Sequence, residues 1–321
     1  MRTSGAPAFW GIGEGVSVNS KLLEYFLRAA ELGSINKAAV DLRLSQPALS
    51  RNISLLEHEM GSALFVRSRG GVKLTEAGKL LYDQARPLLR QFAVLKEQIG
   101  EIAQGQVAVG LPPSWRSVLT TRFAERLLGG NSGIQIRINE TVSHILRDQM
   151  TGGLLDICIA PSDNTRNDAY RQTPVVREPL VLAGGPDTGL SPDESISLQV
   201  LDGLPMIIPS RPNLMRARLE HEMALQGVAL NVAIETDTLA LCLELSARGK
   251  GYTVVPRCAL ISMAHIQPIR WAPIDEVDVV WSMFVNARRT HSQAVRYCRQ
   301  EILRIARATI AEKLWSGAEA L

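Results

Sequence analysis

Apolar residues at Leu22, Leu23, Phe26, Leu27 and Ala30 recur at the spacing of one helical face, in a helix that begins at Ser20 and stops at Gly33. Ser34 caps a second, short helix with Ala38, Ala39 and Leu42, whose small residues let another helix approach closely. Ser45 caps a third, in which Pro47 fits the first turn, where a missing N–H costs nothing. Its inner face is Ala48, Leu49, Ile53 and Leu56, and Gly61 closes it. Two short runs, ALFVR and VKLT, then flank a turn at Ser68-Arg69-Gly70-Gly71 and predict a two-stranded hairpin. Three short helices and a hairpin make a winged helix-turn-helix over 19–78.

Thr75 caps a further helix in which Leu81, Ala85, Leu88, Phe92, Leu95, Ile99 and Ile102 alternate in steps of four and three. Such a seam, ringed by Asp83, Arg90, Lys96 and Glu97, predicts pairing with a second copy over 79–104; packing on its own domain is the other reading. Pro87 removes one backbone hydrogen bond and bends the helix.

From Gln106 onward strand runs alternate with helical ones. The strands are expected at 107–111, 134–138, 155–160, 179–184, 205–209, 231–235, 252–256 and 279–285, with helices at 115–128, 143–151, 213–226 and 238–248 among the gaps. This rhythm predicts an α/β fold with a largely parallel sheet, and that many strands over 105–321 suit two subdomains better than one.

Composition narrows the function. At 46% hydrophobic and 21% charged residues the chain is an ordinary globular protein, and a net charge of +3 is too small to argue for nucleic acid by itself. Cys158, Cys242, Cys258 and Cys298 show no CxxC spacing, and His58, His144, His221, His265 and His291 stand alone, so no disulfide framework, metal site or cofactor is expected. No GxSxG or P-loop occurs, GLPPSW is not a nucleophile elbow, and GIGEGV near the start fails the dinucleotide pattern. Residues 1–18 are Gly-rich and aperiodic and read as a disordered extension without the features of a secretory signal. With no apolar run long enough for a membrane span, the expected location is the cytoplasm.

The third helix carries polar groups that a helix start does not explain. Gln46 can pair with adenine, Arg51 with guanine, and Ser50, one turn from Gln46, can serve either. With Ser45 and Pro47 they stand at the end that a helix-turn-helix presents to base edges. Ser34, Lys37, Arg43, Arg67, Arg69 and Lys73 are placed to grip phosphates. A small helical core with a solvated polar face would show the same periodicity.

Phe26, Ser34, Ala38-Ala39, Leu42, Ser45-Gln46-Pro47-Ala48, Ser50, Ile53, Leu56-Glu57, Gly61, Leu64-Phe65, Arg67, Leu74-Thr75 and Gly78 together resemble the DNA-binding domain of LysR-type transcriptional regulators. The resemblance implies double-stranded operator DNA as a partner, a homodimer through the linker helix extending to a homotetramer, and a small-molecule effector. It also implies that 105–321 is a two-lobed domain similar to periplasmic binding proteins, with lobe one at 105–178 and 275–321 and lobe two at 179–274. The stretches GLPMIIPSRPNLMRARLE and GKGYTVVP are similar to regulators of nitrogen assimilation. The alternative is a small-ligand-binding α/β protein, or an enzyme, with no promoter function.

Ligands of open α/β sheets gather at the carboxyl ends of strands near helix N-termini, which favour anions. Ser114, Ser143, Ser210 and Thr236 each follow a predicted strand. The resemblance places Ser114 and Ser143 on one side of an effector cleft, with Ser210 and Asn213 facing them. Trp115 would add a stacking face and Arg211 a cation, and a small carboxylate is the expected effector. Plain helix capping is the competing role for each hydroxyl.

Overall fold

The computed structural model describes residues 19–68, 71–99, 105–129, 133–163, 165, 167–263 and 268–321, with the side chains of 93–99 and 262–263 outside the description. The expected extension at 1–18, Arg69, and the seam positions Leu95, Ile99 and Ile102 therefore lie outside the described residues and side chains. The chain divides into two compact units, 1–99 and 100–321.

The first unit contains helices α1 (Ser20–Leu32), α2 (Ile35–Asp41) and α3 (Gln46–Glu59), strands β1 (Phe65–Ser68) and β2 (Gly71–Leu74), and the long helix α4 (Glu76–Ile99). Each helix start has a polar cap: Asn19 for α1, Ser34 for α2, Ser45 for α3, and for α4 the Thr75 hydroxyl, which accepts from Gly78 N at 2.9 Å. Phe26, Ala38, Leu49, Ile53 and Leu56 are fully enclosed where the three helices meet. The hairpin is drawn against this bundle by a bond from Val72 N to Gly33 O at 2.9 Å. Gly71 has φ 124, and a Cβ there would stand 2.2 Å from Gly33 O, so the approach requires glycine.

The heptad seam of α4 divides in two. Ala85 is buried in the helical core and Leu81 packs beside it, whereas Leu88 and Phe92 are 57% and 46% exposed. The near half of the stripe thus serves its own domain.

The second unit has strands β3 (Gln106–Leu111), β4 (Gln135–Glu140), β5 (Ile157–Pro161), β6 (Tyr170–Gly184), β7 (Met206–Ile208), β8 (Val232–Glu235), β9 (Thr253–Pro256), β10 (Arg270–Asn286) and β11 (Glu319–Ala320). Between them lie α5 (Thr121–Leu128), α6 (Ser143–Thr151), α7 (Leu214–Leu225), α8 (Leu239–Ala247) and α9 (Gln293–Ala311). The strands expected at 179–184 and 279–285 are only the ends of much longer ones. β6 and β10, with 15 and 17 residues, pair antiparallel along their length, with a break in register between Pro273 and Asp278. On one side of the break they join β5, β3 and β4; on the other β6 pairs with β9. A smaller parallel pair, β7–β8, completes lobe two. The sheet is mixed rather than largely parallel, because two strands that cross between lobes must each meet its neighbour head to tail.

Glu178 lies at this crossing, opposite Val279 in the register and only 1% exposed. Its carboxyl accepts from Trp281 Nε1 at 2.7 Å, Trp315 Nε1 at 3.0 Å, Cys258 N at 3.1 Å and Cys258 Sγ at 3.3 Å. Burial pushes its pKa up, and the donors from Trp315, Cys258 and Trp281 pull it back without cancelling the rise. The folded state therefore holds this proton more tightly than the unfolded chain. Its contribution to stability is complete below the unfolded pKa and declines as pH rises through the folded one.

Glu178→Gln should lower the melting temperature, because an amide NH₂ would face N–H donors in place of an acceptor, at a cost of about 1–3 kcal/mol. The advantage of wild type over the variant should be largest near pH ~4 and shrink toward neutrality, which melting curves across that range would show. A constant or widening gap contradicts the raised pKa.

Candidate functional sites

In the first unit the polar residues singled out in the sequence fall at the start of α3 and around it. Gln46, Pro47 and Arg51 are exposed on α3 and Ser50 is half-buried. Ser45 Oγ accepts from Ala48 N at 3.4 Å and Ser34 Oγ from Lys37 N at 3.3 Å, so both hydroxyls spend an acceptor position on capping. Arg67, on β1, donates to Ser50 Oγ at 3.3 Å and joins the hairpin to α3. Lys37, Arg43, Arg67 and Lys73 are all exposed cations. Arg43 ends the α2–α3 turn at φ 55, a left-handed backbone that a non-glycine residue rarely takes.

Two contacts that the sequence did not announce hold this surface. Arg28 grips Asp41 with two hydrogen bonds of 2.6 and 2.7 Å, linking α1 to the end of α2 and holding the Asp41 carboxyl below its usual range. Glu57 Oε1 accepts from Leu64 N at 2.8 Å and Phe65 N at 3.1 Å, so α3 supplies the acceptor for the first amides of the hairpin.

In the second unit a cavity of about 560 Å³ lies between lobe-one segments at Pro112–Ser114 and Val142–Ser143 and lobe-two segments at Pro209, Asn213, Thr236–Asp237 and Thr253–Pro256. Ser114, Ser143, Asn213 and Thr236 meet there. Ser143 opens α6, whose N-terminus has no side-chain cap, and its hydroxyl makes no hydrogen bond among the described residues. Ser114 lies beside Cys258, whose thiol donates to Glu178 Oε1 at 3.3 Å. Asn213 is committed to capping α7, accepting from Met215 N at 3.0 Å and Arg216 N at 3.1 Å. Thr236 accepts from Thr238 N at 3.3 Å.

Three expectations are corrected. Trp115 offers no stacking face, because it is 0% exposed and packs edge-on to Trp281 and Trp315 at 5.6 and 4.7 Å. Arg211 contributes no cation, since it points to Glu220 at 2.9 Å and is 71% exposed. Ser210 does not line the cavity; its backbone N–H donates to Asp237 Oδ1 at 3.0 Å. The helix expected at 115–128 begins as a tight turn at Pro113–Trp115 and a wide one at Arg116–Thr120 before α5, which turns the Trp115 ring inward.

Thr253, Asp237, Cys242 and Trp281 also line the cavity and were not read from the sequence; Thr253, Cys242 and Trp281 sit inside runs that look like ordinary core, and Asp237 lies in a short polar connection before α8. The Cys242 thiol is pushed up to about 11 by burial and stays protonated at neutral pH. Among the described residues no cationic side chain lines the cavity, and the one acid there is Asp237. Among the described residues no group of three or more His, Cys, Asp or Glu is placed to hold a metal ion.

Residues 20–79 match the model described as "Bacterial regulatory helix-turn-helix protein, lysR family", and 100–307 the one described as "LysR substrate binding domain". The nitrogen assimilation regulatory protein nac of Klebsiella aerogenes is 29% identical over 250 residues, which are 77% of this chain and 81% of that protein. The HTH-type transcriptional regulator BbuR of Bordetella bronchiseptica is 27% identical over 94% of each chain. Among solved structures, full-length CbnR complexed with its target DNA superposes with a TM-score of 0.64 at 19% identity, over 91% of this chain and 100% of that one.

Removing the Glu57 carboxylate should loosen the hairpin. Glu57→Ala leaves two amides without their acceptor and should cost about 1–3 kcal/mol, whereas Glu57→Gln keeps an acceptor oxygen and should cost less. Amide hydrogen exchange at Leu64 and Phe65 is the readout, and equal protection in both variants would refute the role.

Proposed function

The chain belongs to the LysR family of bacterial transcriptional regulators, and from that premise we propose which of its residues read DNA and which read the effector. It is a regulator and not an enzyme. Its helix-turn-helix binds operator DNA, its C-terminal domain binds a small molecule, and it works as an oligomer. In our reading Gln46, Ser50 and Arg51 meet base edges in the major groove, with Ser45 and Pro47 setting the start of the helix that carries them. Ser34, Lys37, Arg43, Arg67, Arg69 and Lys73 hold phosphates on either side. What supports this is that exposed cations flank the open end of α3 while its apolar face is spent on the core.

The exposed Leu88 and Phe92 on α4 support a homodimer through that helix, and dimers pairing into a tetramer would suit spaced half-sites. CbnR has been solved with its target DNA, and the corresponding partner here is the promoter it regulates. Among the described residues no helix is long and apolar enough to cross a membrane, and we place the protein in the cytoplasm with its DNA.

For the effector, the cavity between the lobes carries the argument. Prolines, Val142, Met215, Leu239 and Trp281 make most of its wall, and polar groups gather at Ser143, Ser114 and Thr236. We assign it a small, mainly apolar molecule with one polar end. A single carboxylate suits that end, met by the Ser143 hydroxyl and the uncapped amides of α6. A dianion does not suit it, because no cation stands among its described lining residues and Asp237 would repel it.

The reading role is tested on operator DNA. Gln46→Ala or Arg51→Ala should cost about 1–3 kcal/mol and relax sequence preference. Lys73→Ala should weaken all sequences alike and reduce the salt slope by about one. Unchanged selectivity in Gln46→Ala would remove its base-reading role.

The cleft is tested by a thermal-shift screen of small aromatic and aliphatic monocarboxylates, followed by titration of the hit. Ser143→Ala should weaken effector binding by about 1.5–3 kcal/mol, roughly ten- to hundredfold, while operator affinity without effector stays as it was. Normal effector affinity in this variant would move the polar subsite elsewhere.

A further inference from the structure

A second cavity of about 490 Å³ opens in lobe one where the start of β6, the end of β10 and the first turns of α9 come together. It shares no lining residue with the effector cleft, and its chemistry is the reverse. Val285 and Val295, both buried, give it an apolar base. Arg171, Arg296 and Arg299 surround it with Thr173 and Thr290, and no carboxylate among the described residues lines it.

The backbone explains why these residues converge. Arg171 and Thr173 are two apart on β6, so their side chains leave the same face. Their register partners on β10 are Val285 and Met283, which are buried in the core that α9 covers. Arg171 and Thr173 are themselves exposed, at the margin of that covered face. From the other side, Arg296 and Arg299 stand three apart on α9, both exposed and on one side of the helix.

Several arginines in this unit hold a carboxylate: Arg304 pairs with Glu301 at 2.8 Å, Arg122 with Glu312 at 3.3 Å, and the buried Arg289 with Asp156 at 3.0 Å. Arg171, Arg296 and Arg299 do not. Among the described residues none of their side chains makes an ion pair or hydrogen bond, and the Thr173 hydroxyl makes none either. Three like charges gathered on one cavity repel one another until an anion of matching charge enters. The guanidinium fork fits phosphate and carboxylate oxygens in pairs.

We infer that this cavity binds a small molecule bearing a multivalent oxyanion, either a phosphate group or a cluster of carboxylates, as a second ligand separate from the effector. A monocarboxylate would leave two of the three guanidinium charges unmatched. The apolar base at Val285 and Val295 accommodates the body of a molecule larger than a bare ion.

Calorimetric titration of the full-length protein without DNA, using pyrophosphate and then citrate at fixed ionic strength, tests the site. At least one should bind saturably where chloride and acetate do not; pyrophosphate winning indicates a phosphate-bearing ligand, citrate a polycarboxylate. Arg171→Ala, Arg296→Ala and Arg299→Ala should each weaken binding roughly tenfold. Ser143→Ala in the cleft and Arg51→Ala on α3, the other basic surface, should leave it unchanged. All these side chains other than Ser143 are exposed, and circular dichroism checks that each variant stays folded. Binding that is absent for both anions at millimolar concentration, that survives loss of the three arginines, or that disappears with Arg51 overturns the inference.

Discussion

A carboxyl group with no cation bonded to it sits where two long strands cross between lobes, and the second unit is organised around satisfying it. Glu178 stands between the buried Val176 and Leu180 on β6, and a buried carboxyl without partners would be costly. Here two indole N–H groups, a backbone amide and a thiol from three other segments converge on it. Trp281 comes from β10, Trp315 from the turn after α9, and Cys258 from the turn after β9. Satisfying one acid thus fixes the positions of residues far apart in the chain.

That hub also supports the cavity between the lobes. Trp281 lines the cavity directly, and Ser114 stands beside Cys258, which donates to the same carboxyl. Trp115, beside Ser114, is locked against Trp281 and Trp315. One wall of the cleft is therefore held from behind by hydrogen bonds and edge-to-face aromatic contacts. Ser143, on the uncapped end of α6, has no such tether, and among the described residues its hydroxyl makes no hydrogen bond. A tethered wall beside an uncommitted donor lets a small molecule add contacts without first breaking the fold's own.

The two units solve different problems with different means. The helix-turn-helix is small, so capping residues, the Arg28 grip on Asp41 and the Glu57 acceptor organise what its modest core cannot, and several of its cations stay exposed. The larger unit buries an ion pair, Arg289 with Asp156, whose second oxygen accepts from Ala108 N at 2.8 Å and ties β3 to β5 and the end of β10. Two of its cavities divide the chemistry: one apolar with hydroxyls and amides, the other rimmed by guanidinium groups that have no ion pair among the described residues.

The helix-turn-helix was legible from the sequence because its signals are local. Caps, helical spacing and a glycine turn are set by residues within a few positions of one another, and so α1, α2, α3 and the hairpin were readable along with Gln46 and Arg51 on the open end of α3. The alternation of strands and helices in the second half was legible for the same reason. The rest is decided by pairs distant in the chain. That β6 and β10 continue through both lobes depends on their pairing with each other, which no local period encodes. Glu178 reads as a surface acid until Trp281 and Trp315 are brought to it. Trp115 and Ser114 are adjacent in sequence, yet the tight turn at Pro113 sends one ring into the core and leaves one hydroxyl at the cleft. Arg171 meets Arg296 and Arg299 only because β6 runs beside β10 and α9 packs over their shared face. Sequence periodicity determines which face of an element is apolar; which partner covers that face, and which polar groups are left beside it without one, is settled by tertiary packing.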